Sequence, residues 1–172
     1  LHRDGPTHGF SFAMAYLDFA LRGVGIFGSG AFFGMALSIS TVTLPMLFRH
    51  KDITARQRVE LWSDLYTLVT QRWVPFGMLS AVAFGVAAYT TKSDKSLPVA
   101  AAISMASIMP TTLIFVFPYV NKLKSFLKGD FPSDDEALKT LRVWGDVHWL
   151  RTICAGLAAA IGLYDLVALL SK

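Results

Sequence analysis

Trp144-Gly-Asp-Val-His-Trp-Leu-Arg151, followed by Thr152-Ile-Cys-Ala-Gly-Leu-Ala-Ala-Ala-Ile-Gly-Leu-Tyr-Asp-Leu-Val-Ala-Leu-Leu-Ser171, decides the fold. The second part is 20 almost wholly apolar residues, about the length a helix needs to cross a hydrocarbon core. The first part is the mouth of that helix. At ~100° per residue, Trp144, His148 and Arg151 fall on one face, so an indole, an imidazole and a guanidinium make a single stripe. Charged groups at such a depth are costly unless they face a protein interior or a watery cavity, so the stripe reads as a site. Trp and Arg are also ordinary anchors at a bilayer interface, and that reading stands beside the first.

Composition points the same way. Hydrophobic residues make up 53% of the 172 and the mean hydropathy is +0.48, above ordinary soluble usage. The expectation is an all-α integral membrane protein, one transmembrane four-helix bundle without internal repeats. Cys154 is the single cysteine, which excludes a disulfide framework within the chain and a Cys-based zinc site. Leu1 to Gly9 carry no short apolar core with a small-residue cleavage site, and the missing initiator Met fits a processed or trimmed start. The net charge of +4 is spread over flanks and loops without interleaved aromatic RNA motifs, so it argues for membrane topology and against nucleic acid.

Residues 1–22 read as an N-terminal interfacial lead-in, with Asp18 and Arg22 spaced to neutralise one another, and 23–172 as the membrane domain. Four helices are expected at about 23–48, 54–89, 97–119 and 134–170. Gly30 and Gly34 in the first form a small-xxx-small pattern that permits close helix approach. Gly23, Gly25 and Gly28 spell G-x-G-x-x-G, but no strand precedes them and the surroundings are apolar, so a dinucleotide site is rejected. Thr54 with Gln57, and Ser133 with Glu136, are spaced as capping boxes, and Asp134 to Glu136 suit a helix N-terminus. Helix two carries Trp62, Tyr66, Val69 and Trp73 on one face and reaches Pro75, where it should bend. Pro98 suits the first turn of helix three, and Pro110 interrupts it beside Thr111 and Thr112. Helices two and four are too long for a bilayer alone and should project beyond it side by side.

Segments 49–73 and 121–151 hold 11 of the 16 Lys and Arg residues. The positive-inside rule puts those segments on the cytosolic or equivalent side and both termini opposite. Pro45, Trp62, Tyr66, Asn121, Trp144, His148 and Arg151 can then converge at one membrane face. An aromatic-lined polar pocket there, opening sideways to lipid, suits a flat hydrophobic or quinone-like molecule with a few oxygens. His148 is the proton carrier near neutral pH, Arg151 can hold an oxyanion or a reduced oxygen species, and Asn121 can orient a carbonyl or hydroxyl. Trp62, Tyr66, Trp144 and Pro118 would bind the ring system. A buried His with a satisfied hydrogen bond is the bland alternative. No two histidines are spaced as a helical metal pair. A metal or haem, were one bound, would draw on His50 and His148, so none is assigned.

Several of these residues also form a pattern. Gly30-Ala-Phe-Phe-Gly34, Trp62 with Tyr66 and Pro75, Pro110-Thr111 followed by Pro118 and Asn121-Lys-Leu123, and Trp144 with His148 and Arg151, in that helix order, resemble the DUF1772 family, which includes the fungal anthrone oxygenases. The similarity runs from about Gly23 to Tyr164. It implies a small membrane oxygenase of aromatic polyketide biosynthesis that converts an anthrone to a quinone with molecular oxygen as co-substrate and no organic cofactor. The other readings are an accessory or assembly subunit of a larger membrane complex, for which homo-oligomers are one form, and a quinone- or lipid-binding bundle without turnover.

Overall fold

A computed structural model describes residues 7–91, 94–130 and 133–171, with side chains from Met14 onward. All its elements are helical: α1 (Thr7–Ser38), α2 (Leu44–Arg49), α3 (Ala55–Thr90), α4 (Ser96–Ala106), α5 (Ile108–Thr111), α6 (Phe117–Lys128) and α7 (Asp134–Leu170). Two π-helical turns, Ile39–Thr43 and Thr112–Val116, join α1 to α2 and α5 to α6. Four stretches among the described residues are long and apolar enough to cross a membrane: Met14–Arg49, Ala55–Thr90, Ser96–Lys128 and Asp134–Leu170. Only 22% to 33% of each apolar window is buried inside the bundle. Most of the apolar surface therefore faces outward, which water penalises by ~25 cal/mol per Å² and lipid does not.

Local sequence sets the helix ends. The Thr54 hydroxyl accepts from the Gln57 N–H at 3.2 Å, and the Gln57 side chain accepts from the Thr54 N–H at 2.8 Å, which completes the first capping box. The Ser133 hydroxyl accepts from the Glu136 N–H at 3.3 Å, and Asp134, Asp135 and Glu136 occupy the first turn of α7, where the helix dipole favours them. Helix α6 stops at Gly129, whose φ of 90° lies in the left-handed region that glycine adopts without steric cost. Helix α3 continues through Pro75, which is exposed.

Two boundaries differ from the sequence reading. The third helical stretch continues past Tyr119 to Lys128. The first helix begins at Thr7, so the lead-in is continuous with α1 rather than separate from it. The reason lies at Arg22, which is buried. Its Nε donates to Asp18 Oδ2 at 3.2 Å, its Nη2 donates to Thr91 Oγ1 at 3.3 Å, and its Nη1 pairs with Asp165. One guanidinium thus ties α1 to α3 and α7, as its planar fork of donors allows.

The helices run up and down, with α1 antiparallel to α3 and α7. Gly28 meets Ser80, Gly25 meets Phe84, and Gly145 at the other end meets Leu44. Fully buried Phe84 sits between Gly25 and Gly162, where an added Cβ would come within 2.7 Å and 2.5 Å of its ring. The Ser80 hydroxyl donates to the Gly25 carbonyl at 2.6 Å across the same contact. The rejected nucleotide fingerprint thus supplies two packing glycines, whereas Gly30 and Gly34 have nothing within 4 Å of a would-be Cβ. One apolar cluster gathers Trp62, Val69, Val120, Leu141 and Trp144, and a second, nearer mid-bundle, gathers Phe32, Met105, Ile108 and Ala155.

Candidate active site

Helical spacing places Trp62 and Tyr66 one turn apart on α3, and Trp144, His148 and Arg151 on successive turns of α7, on facing sides. The rings meet there. Trp62 stacks on Tyr66 with centroids 5.5 Å apart and meets Trp144 edge-on at 5.3 Å. Tyr66 stands edge-on to Trp144 at 6.4 Å, and Trp144 lies 5.1 Å from the His148 ring. The Lys124 ammonium on α6 sits over the Tyr66 ring at 5.8 Å, within cation–π range.

His148 is buried, and its Nδ1 lies 3.1 Å from the Ser40 hydroxyl. Ser40 belongs to the π-helical turn after α1, a kind of insertion that concentrates at functional sites. When Nδ1–H donates to Ser40, Nε2 is the basic nitrogen. That Nε2, the Nε of Arg151 and the indole N–H groups of Trp62 and Trp144 are buried without a protein hydrogen-bond partner. Buried polar atoms left in this state cost about 1–3 kcal/mol each, so four together mark a place where something other than folding is served.

Arg151 is 5% exposed. Its guanidinium stands 6.0 Å over the Phe32 ring and within electrostatic reach of His148 and Tyr66. Among the described residues no ion pair involves it, in contrast to Arg22 at the opposite end of the bundle. Arg151 and Tyr66 share the wall of a cavity of about 370 Å³ between α3 and the α4–α6 stretch, a volume in the range of small-molecule sites. Thr70 and Thr112 complete its polar part, and the remaining wall is apolar. Both hydroxyls donate to their own helix, Thr70 to the Tyr66 carbonyl at 2.7 Å and Thr112 to the Ile108 carbonyl at 2.6 Å. Met78, Val82, Met109, Leu113 and Phe117 line the cavity and are themselves exposed, so its mouth opens sideways out of the bundle.

The structure brings Trp62, Tyr66, Trp144, His148 and Arg151 together and separates the other expected residues from them. Asn121 and Pro118 are exposed on α6 and do not line the cavity, and Pro45 is exposed too. A π turn carries one residue more per hydrogen-bonded loop than an α turn, so the turn at Thr112–Val116 shifts the facing of α6 and puts Phe117 on the wall instead. His50 is exposed beside Asp52 at 3.7 Å while His148 is buried beside Ser40, so the two do not share a site. Among the described residues no group of three His, Cys, Asp or Glu side chains is placed to hold a metal. His2 and the side chain of His8 lie outside the described residues. Sequence reasoning missed Ser40, Phe32, Thr70, Gly77 and Thr112. Ser40 had a signal, as a hydroxyl in an apolar run, whereas the cavity wall at Gly77 had none.

A family model described as Anthrone oxygenase matches residues 62–161, more than half of the chain, and runs from Trp62 through the whole polar stripe of α7. No curated protein and no solved structure matches.

Proposed function

Because the chain belongs to the anthrone oxygenase family, we propose that it is a membrane-embedded oxygenase that takes a flat, anthrone-like aromatic from the lipid and oxidises it with O₂ to the quinone. The observation that carries this reading is Arg151, a buried guanidinium without a carboxylate on the wall of an apolar cavity that opens sideways. Such a charge favours an anion over its neutral parent, and it acts most strongly where water is excluded.

The CH₂ of an anthrone lies between two aromatic rings and is conjugated to the carbonyl. Its proton leaves to a base, and the electron pair moves to the carbonyl oxygen, which faces Arg151. The anion reduces O₂ and forms a C–O bond, and the resulting peroxide takes up a proton. Loss of the second C–H proton and cleavage of O–O then release water and leave the second carbonyl. The balance is one CH₂ and one O₂ to one C=O and one H₂O, with no external reductant. His148 is the base in this scheme. Its imidazole stands behind the wall rather than on it, so the Tyr66 hydroxyl, on the wall, passes the proton. Asn121, away from the cavity, has no part.

The bilayer places the polar end of the cavity at the basic membrane face. Helices α3 and α7, at 36 and 37 residues, extend beyond the hydrocarbon there, with both termini on the other side. Oxygen uptake by membranes containing the protein, offered a panel of anthrones with spontaneous oxidation subtracted, tests the reading. Uptake with quinone formation, lost in His148→Ala, is expected. Ligand binding without uptake would instead make the protein a carrier.

A further inference from the structure

The cavity is polar at one end only. Tyr66, Thr70, Thr112 and Arg151 stand at the end near the Trp62–Trp144 contact. Beyond them α3 presents Val74, Gly77 and Ala81, and α4 presents Met105 and Ala106. From Val74 to Val82 this apolar part runs about 12 Å along α3 at 1.5 Å per residue. Gly77 and Ala81 lie one turn apart on α3, and Ala106 lies on the opposite wall. The space beside Gly77 is bounded by Met105 and Phe32, and a Cβ there would come within 2.9 Å of the Met105 methyl. Small side chains on both walls leave a slot, and larger neighbours fix its depth.

We infer that the molecule this cavity takes is polar at one end and apolar at the other: an oxygenated ring against Arg151 and Tyr66, and an unbranched hydrocarbon extension in the slot between Gly77, Ala81 and Ala106. The identity of the ring rests on the function proposed above, and the extension rests on the shape of the slot. Lipid is as apolar as the extension, so the slot gains little from hydrophobic transfer and selects in two other ways. A wall of hydrocarbon side chains leaves a polar group at the far end unpaired, and a buried unpaired group is a strong ground for rejection. A width set by alanine and glycine admits a chain and excludes bulk. Ala81 and Ala106 therefore determine which substrates fit and take no part in the chemistry.

The test is equilibrium binding to the whole protein in lipid nanodiscs. The probes are a dihydroxyanthraquinone with both hydroxyls beside one carbonyl, the same ring with an n-hexyl chain on the opposite edge, and the hexyl compound with a terminal hydroxyl. Ala81→Phe and, on the other wall, Ala106→Phe should each weaken the hexyl compound by about tenfold or more while the bare ring stays within about twofold. In the unmodified protein the terminal hydroxyl should cost about tenfold. The inference is overturned if both variants bind the hexyl compound unchanged, if both lose the bare ring equally, or if no probe binds the unmodified protein. Oxygen uptake with anthrones on the same preparation separates the two ideas. Uptake without discrimination among the probes overturns the slot alone, and discrimination without uptake overturns the oxygenase reading alone.

Discussion

A guanidinium held in an apolar wall without a carboxylate keeps its charge for what enters the cavity. Arg22 and Arg151 make the contrast, since both are buried but only Arg22 is tied to two aspartates. Arg151→Leu should therefore leave the fold in place and lower turnover by about 10²-fold, the usual effect of removing a donor aimed at developing negative charge. Initial rates of oxygen uptake measure it, and an unchanged rate would remove Arg151 from the chemistry. Ser40→Ala frees the Nδ1 side of His148, so turnover should drop less than in His148→Ala while binding of the ring is unchanged. The stripe that holds these groups was legible because helical period alone places Trp144, His148 and Arg151 together. Asn121 was misread, because a π turn five residues upstream changes the facing of everything after it and no residue in Thr112–Val116 announces one.

At the scale of elements, two kinds of contact set the geometry. Near mid-bundle, glycines let helices meet around Phe84, so Gly25→Leu should force the ring out of place and destabilise the protein by about 1–3 kcal/mol or more, read as a lower melting temperature in detergent. At the end away from Trp144, Arg22→Leu strands two buried carboxylates and should cost about 3–5 kcal/mol. Asp165→Asn, which keeps an acceptor for the guanidinium, should cost less, and the reverse ranking in thermal denaturation would argue against an ionic tie. The Asp18–Arg22 spacing announced an ion pair, but Asp165 lies 143 positions further along the chain from Arg22, and no local pattern joins them. Caps were easier to read, because Thr54–Gln57 and Ser133–Glu136 act within one turn.

For the whole molecule, apolar length and helix count yielded the bundle directly: four stretches cross, and most of their apolar surface faces outward. The cavity was less legible, since its wall is assembled from ordinary apolar residues of α3 and α4 and acquires meaning only beside Arg151 and Tyr66. A sideways mouth and a single polar end imply that the substrate arrives through lipid. The measurement that bears most directly on an oxygenase built around this cavity is conversion of an anthrone under ¹⁸O₂ by membranes holding either the unmodified protein or Arg151→Leu, with mass analysis of the quinone. The expected result is one ¹⁸O in the new carbonyl, formed well above the rate of membranes without the protein and lost with Arg151. An unlabelled quinone, or equal rates in all three membranes, would contradict it.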